Sequence, residues 1–218
     1  IRERAIAILE SGKTDHHDLV RYEYIRRLGY YCTESSEHNA EYNNFFIKAK
    51  YPELIERYNI PLDEYPRRCI NQIENWKKDR EKYLHDDVTH TRTTEYASYI
   101  MEAIVTDIPY KIGGNVINNG LIPNLPAEAC VEVACLVNKN GIQPCAQKPL
   151  PLQLAAMNSA MIGVQLLTIE AAVTQKKETI YQAAMLDPHT SSELSIDEII
   201  RLCDDLIEAH GSYLPKYH

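Results

Sequence analysis

The densest collection of side chains able to do chemistry lies between Ser35 and Tyr42, where Ser36, Glu37, His38, Glu41 and Tyr42 fall within about two helical turns. If the segment is helical from about Glu37, His38 and Tyr42 share a face at i and i+4, with Glu37 and Glu41 on the neighbouring face. A histidine beside a tyrosine suits proton abstraction, because imidazole titrates at about 6.5 while a free phenol titrates at about 10. The same residues also fit a helix start without chemistry, with Ser35 or Ser36 as cap and two glutamates favoured by the helix dipole. Spacing alone leaves both readings open.

Other reactive side chains read more simply. His16 and His17 lie on an amphipathic stretch and are expected to be solvated. His85 sits where a helix C-terminus favours positive charge, and Arg67-Arg68 belongs to a charged helix, where adjacent arginines are surface groups. Asn118-Asn119-Gly120 has the composition of a tight hairpin turn. Six cysteines, Cys32, Cys69, Cys130, Cys135, Cys145 and Cys203, form no CxxC pair, so neither a zinc ribbon nor a disulfide framework is expected. They read as reduced thiols in a cytoplasm. No GxGxxG turn, no GxxxxGK[ST] loop and no HExxH pair occurs, so this chain is not expected to cradle a dinucleotide or nucleotide in the usual way.

The elements that must position these groups are mainly helical. Ile6, Ile8 and Leu9 precede Ser11-Gly12, a helix end. Thr14 or Asp15 is expected to cap a second helix carrying Leu19, Val20, Tyr24, Ile25 and Leu28 and stopping at Gly29. Asn39 to Lys48 reads as helix, and Pro52 starts another that ends before Pro61. Pro66 opens a charged helix from Arg67 to about Leu84, with Ile70, Ile73, Trp76 and Tyr83 as one packed stripe. Glu95 to Val105 follows, with Tyr96, Tyr99, Ile100 and Ile104 spaced for burial.

The period then changes. Tyr110 to Ile117 and Ala129 to Val137 read as antiparallel strands, the second alternating Val131, Val133 and Cys135 with Glu132, Ala134 and Leu136. Leu152 to Val173 is apolar on most sides. Gln153, Asn158, Gln165 and Glu170 interrupt it, which favours a buried central helix over a membrane span. Ser195-Ile196-Asp197-Glu198 is a capping box opening the last helix, with Ile196, Ile199, Ile200, Cys203, Leu206 and Ile207 on one stripe. The expected architecture is one mainly helical α+β unit with a small antiparallel sheet, undivided by any glycine-rich linker.

At 218 residues the chain can bury a full core, and 25% charged against 44% hydrophobic residues excludes disorder as its class. A net charge of −8 with no basic stripe argues against nucleic acid as a partner. The first residue is Ile1, in what reads as mid-helix without a cap, which is the expectation for a fragment of a longer protein.

Leu28-Gly29-Tyr30 leading into Thr33-Glu34-Ser35-Ser36-Glu37-His38 and Glu41-Tyr42 resembles a sugar-facing segment of family 4 glycoside hydrolases of α-galactosidase type. Arg21-Tyr22-Glu23 and Pro61-Leu62-Asp63-Glu64-Tyr65 fit the same pattern. A second run, Gly114-Asn115-Val116-Ile117-Asn118-Asn119-Gly120-Leu121-Ile122-Pro123-Asn124-Leu125-Pro126 followed by Val131-Glu132-Val133, is similar to that family's stretch of Asn and Gly before NLP and VEV. The resemblance implies a C-terminal substrate and oligomerisation domain over residues 1–218, with a fold like the C-terminal domain of lactate and malate dehydrogenases. An NAD-binding Rossmann domain would precede it and be its partner.

It also implies an exception to two-carboxylate glycosidase chemistry. NAD oxidises the sugar at C3, a base removes the C2 proton, the aglycone is eliminated, water adds, and the hydride returns. Manganese polarises the C2 and C3 oxygens. Both cofactors belong to the complete enzyme, and the isolated chain is expected to bind neither tightly and to be inactive. On this resemblance His38 and Tyr42 are the catalytic pair, and Ser36, Glu37, Asn118 and Asn119 contact the glycoside. None of Cys32, Cys69 or Cys130 stands in the metal motif, so no metal ligand is assigned. A homo-oligomer, dimer or tetramer, is implied, without a nucleic-acid or membrane partner. Two other readings are a non-catalytic oligomerisation module built on the apolar Leu152 to Val173 helix, and the C-terminal domain of a 2-hydroxy acid dehydrogenase.

Overall fold

Residues 1–12, 17–87 and 89–218 are described by the computed structural model; the cap expected from Thr14 or Asp15 and the setting of His16 lie outside the described residues. Its contacts separate two units, one of Ile1–Ile60, Gly113–Val133 and Pro144–His218, the other of Pro61–Ile112 and Ala134–Gln143. The second is inserted into the sequence of the first, so no linker composition marks the division.

The larger unit begins with helices α1 (Arg2–Glu10) and α2 (Leu19–Leu28), which pack together. Helix α2 buries Leu19, Val20, Tyr24 and Ile25, and it stops at Gly29, whose φ of 87° a side chain would oppose. Glu23 is buried on the same helix, paired with Arg26 at 2.6 Å and Arg27 at 2.9 Å. Burial pushes its carboxyl up, yet the hydrogen bonds from the two guanidinium groups outweigh that and hold it below the usual range. Two short helices follow, α3 (Ser36–Glu41) and α4 (Glu53–Arg57). The helix expected to run to Lys48 ends at Glu41, because the chain turns there to send Phe46 into the core. That core joins Leu19, Val20, Tyr24, Ala40, Phe46, Tyr58 and Ile60. The Phe46 ring meets Tyr24 edge-on at 5.5 Å and Tyr58 at 4.9 Å.

The smaller unit holds α5 (Glu64–His85) and α6 (Ala97–Thr106). Helix α5 forms where the charge pattern predicts it, with Pro66 in its first turn, but the expected packed stripe is not packed. Ile70, Ile73, Trp76 and Tyr83 are all exposed, since no described element covers that side of the helix. Helix α6 buries only Ala103; Tyr96 and Ile104 remain exposed, while Tyr99 stacks on Tyr110 at 5.1 Å and has the Arg92 guanidinium over its ring at 3.5 Å.

Strands β1 (Tyr110–Ile117), β2 (Cys130–Asn138) and β3 (Gly141–Pro144) form one antiparallel sheet in that order. The alternation read in β2 is present, with Val131, Val133, Cys135 and Val137 buried. Strand β3 is not foreseen by the sequence reading. Gly113 on β1 leaves room for Glu132 on β2, whose Oε1 would lie 2.7 Å from an added Cβ.

The C-terminal helices are α7 (Leu152–Thr174), α8 (Lys177–Leu186), α9 (Pro188–Glu193) and α10 (Ile196–His210). The capping box at Ser195 forms as read, the serine side chain accepting from the Glu198 amide and the glutamate accepting from the Ser195 amide. Tyr181 donates to Asp204 at 2.5 Å and Lys177 pairs with the same carboxylate at 2.7 Å, which ties α8 to α10.

Helix α7 departs from the expectation of a buried central helix. Only Ala155, Ile162 and Ala171 are buried, while Leu152, Ile169 and Val173 are exposed. The reason lies in its neighbours: α8 packs along α7, whereas α9 and α10 pack on α8, and Met157 packs against the N-terminal core. By length and composition α7 is also apolar enough to cross a membrane.

Candidate active site

Helix α3 has an inner and an outer face set by its period. Ser36, Asn39 and Ala40, at i, i+3 and i+4, are buried against the core, so Glu37, His38, Glu41 and Tyr42 turn the other way. Ser35 caps the helix, its hydroxyl accepting from the His38 amide at 3.2 Å. The cap read for this segment is present, and it leaves His38 and Tyr42 together on the outer face.

On the outer face His38 Nδ1 lies 2.9 Å from Glu41 Oε2. A carboxylate only accepts, so Nδ1 carries the proton and Nε2 is the free ring nitrogen. The Tyr42 ring stacks on the imidazole, with centroids 5.8 Å apart and planes 12° apart. The hydrogen bond to Glu41 raises the His38 pKa above its ordinary value, against a smaller opposing effect of burial, and the charges of Glu41, Glu34 and Glu37 add to the rise. Sequence spacing sets Glu41 on a neighbouring face and assigns it no role. Its i, i+3 spacing from His38 was the available signal.

Of the remaining site residues, Ser36 is buried, and its hydroxyl accepts from the Arg21 amide at 3.3 Å. Glu37 stands on the outer face beside His38. Asn118 is fully buried. Its amide nitrogen is 3.0 Å from each of the Ile122, Leu125 and Pro126 carbonyls, and its oxygen accepts from the Ile122 amide at 2.7 Å. The link between β1 and β2 is thus a longer loop wrapped around one carboxamide, not a two-residue hairpin. Asn119 is exposed on it with φ of 40°, next to Gly120 at 85°. One turn of α3 brings together His38, Glu41 and Tyr42; Asn118 and Asn119 belong to a second, separately built loop of the same unit.

Among the described residues no group of three or more His, Cys, Asp or Glu side chains is arranged to hold a metal ion. Among the described residues no cysteine is joined in a disulfide.

Comparison with known proteins gives this helix-rich α+β chain a family. Residues 3–190 match the family 4 glycosyl hydrolase C-terminal domain, and the chain belongs to that family. It is 59% identical to an α-galactosidase of Bacillus subtilis (strain 168) over 95% of this chain and 48% of that protein. Among solved structures, the Bacillus subtilis protein lplD, assigned as a glucosidase, shares the fold with a TM-score of 0.81 at 21% identity, over 94% of this chain and 49% of that one. A 6-phospho-α-glucosidase from gut microorganisms, solved in complex with NAD and Mn2+, matches with a TM-score of 0.69 at 16% identity, over 99% of this chain and 51% of that one. The chain spans about half the length of these relatives.

Proposed function

We propose that this chain is the C-terminal, substrate-covering part of a cytoplasmic glycosidase of α-galactosidase type that works with NAD and Mn2+. The observation that carries the reading is the 59% identity, over 95% of the chain, to a Bacillus subtilis α-galactosidase. Both cofactors are assigned to the rest of the complete enzyme, because the described residues offer no metal-ligand cluster and the sequence no glycine-rich dinucleotide turn. Six cysteines without a disulfide suit a reducing compartment. The uncovered apolar side of α7 is assigned to contacts with the upstream half of the enzyme and with further subunits.

What this chain contributes is proton handling. Glu41 fixes Nδ1 as the protonated nitrogen, which leaves Nε2 of His38 to take a proton from the sugar and to return one. Tyr42 holds the plane of the imidazole by stacking. Glu37 and Asn119 face the glycoside, and Ser36 and Asn118 shape that surface from behind. The three carboxylates around His38 favour a neutral sugar over a phosphorylated one, since a second anion beside them would be repelled.

The test is substrate choice. The complete enzyme, supplied with NAD, Mn2+ and a thiol reductant, is offered p-nitrophenyl α-galactoside and p-nitrophenyl 6-phospho-α-glucoside. Nitrophenol release from the galactoside is expected. Turnover of the phosphorylated substrate alone overturns the α-galactosidase assignment.

A further inference from the structure

We propose that Asn39, itself held by Cys32, is the positioning residue that sets the orientation of the His38 turn; the proposal rests on the reading of that turn as the acid–base site. Helix α3 has six residues, well short of the length at which a helix holds itself in water, so its direction must come from outside its own hydrogen bonds. Beside Ser36, which accepts from the Arg21 amide, and Ala40 in the core, that support gathers on one residue, Asn39. The Asn39 amide nitrogen donates to the carbonyls of Glu34 and Ser35, both at 2.9 Å, which uses its two hydrogens. Its side-chain oxygen accepts from the Cys32 thiol at 3.2 Å. Its backbone carbonyl accepts from the Tyr24 hydroxyl at 3.2 Å and from the Asn43 side-chain Nδ2 at 3.0 Å.

Three pieces of chain therefore meet on Asn39: helix α2 through Tyr24, the link after α2 through Cys32, and the residues leading into the cap through Glu34 and Ser35. Ser35 in turn caps the His38 amide, so a shift of residues 34 and 35 is passed directly to His38. Asn39 is 6% exposed and lies between His38 and the fully buried Ala40, which keeps it away from any substrate. It acts by fixing where His38 and Glu41 stand.

The experiment uses the complete enzyme and four variants: Asn39→Leu, Cys32→Val, Cys32→Ser and His38→Gln. Misplacing an acid–base group by about 1 Å costs on the order of 100-fold in rate, so Asn39→Leu is expected to lower kcat by roughly 10- to 100-fold with KM changed by less than about threefold. Its pH–rate limb, set in the parent by the Glu41-paired imidazole, is expected to move toward about 6.5. A purely structural role would lower the amount of folded enzyme and leave that limb in place. Cys32→Val removes a single thiol contact and decides the matter if Asn39→Leu does not fold: a loss of about fivefold in kcat is expected, while Cys32→Ser, which keeps a donor to Asn39, stays within about twofold. An unchanged kcat and limb in Asn39→Leu, or equal behaviour of Cys32→Val and Cys32→Ser, overturns the positioning role if His38→Gln still abolishes turnover. Full turnover in His38→Gln overturns the underlying acid–base reading, and the positioning role falls with it.

Discussion

Replacing His38 with glutamine in the complete enzyme is expected to lower kcat for an α-galactoside by roughly 100- to 10,000-fold, the range an acid–base group contributes, while leaving the fold intact. Glutamine keeps polarity and size but cannot take a proton. The pH dependence gives a second signature. His38 works as a base only when Nε2 is free, so the rate rises with pH through the His38 pKa, and the hydrogen bond to Glu41 holds that pKa above the ordinary value of about 6.5. Glu41→Gln removes the main cause of the rise, so the limb is expected to move down, toward about 6.5, and turnover below neutral pH is expected to suffer less than turnover above it. A limb that stays in place in Glu41→Gln contradicts the pairing. Tyr42→Phe keeps the ring stack and removes only the hydroxyl; a loss as large as that of His38→Gln would move the base to Tyr42.

Asn118→Ala is expected to be the most damaging single change to stability. The carboxamide is fully buried and holds together the whole link between β1 and β2, meeting three carbonyls and one amide. Truncation takes the partner from the Ile122 amide and the Leu125 carbonyl, leaves the Ile122 and Pro126 carbonyls with only their backbone donors and opens a small void, a combination that costs about 2–4 kcal/mol. Asn118→Asp is expected to be at least as harmful, since a carboxylate keeps the acceptor for Ile122 but faces the three carbonyls with no hydrogen to donate. Urea unfolding of the chain checks both, and a loss below about 1 kcal/mol for Asn118→Ala contradicts the role given to this residue.

Local signals were legible where chemistry is local. Gly29 ends α2 and Ser195 opens α10 because a left-handed glycine and a capping box act within one turn, without help from the rest of the chain. The β2 alternation shows in the sequence for the same reason, each strand residue facing one side or the other. The outer pair of α3, His38 and Tyr42, was also readable from i, i+4 spacing.

What was not legible depends on neighbours. Strand β3 has four residues, too few for an alternation to stand out, and it exists because β2 is beside it. The length of α3 is set by Phe46 entering the core. Burial of α7 and of the α5 stripe cannot be read from apolar spacing, which says that a face is able to pack but not what covers it. Asn118 is the clearest case: Asn-Gly beside it reads as a turn, while the buried carboxamide follows from carbonyls four to eight residues away. The contacts of Asn39 cannot be read from local spacing, because Cys32 and Tyr24 lie on different pieces of chain.

The most direct test of the account is the fate of one hydrogen. The complete enzyme, given an α-galactoside in D2O with NAD and Mn2+, is expected to release galactose carrying deuterium at C2, because the proposed reaction removes that proton and returns one from solvent. Product that keeps protium at C2 throughout turnover contradicts it.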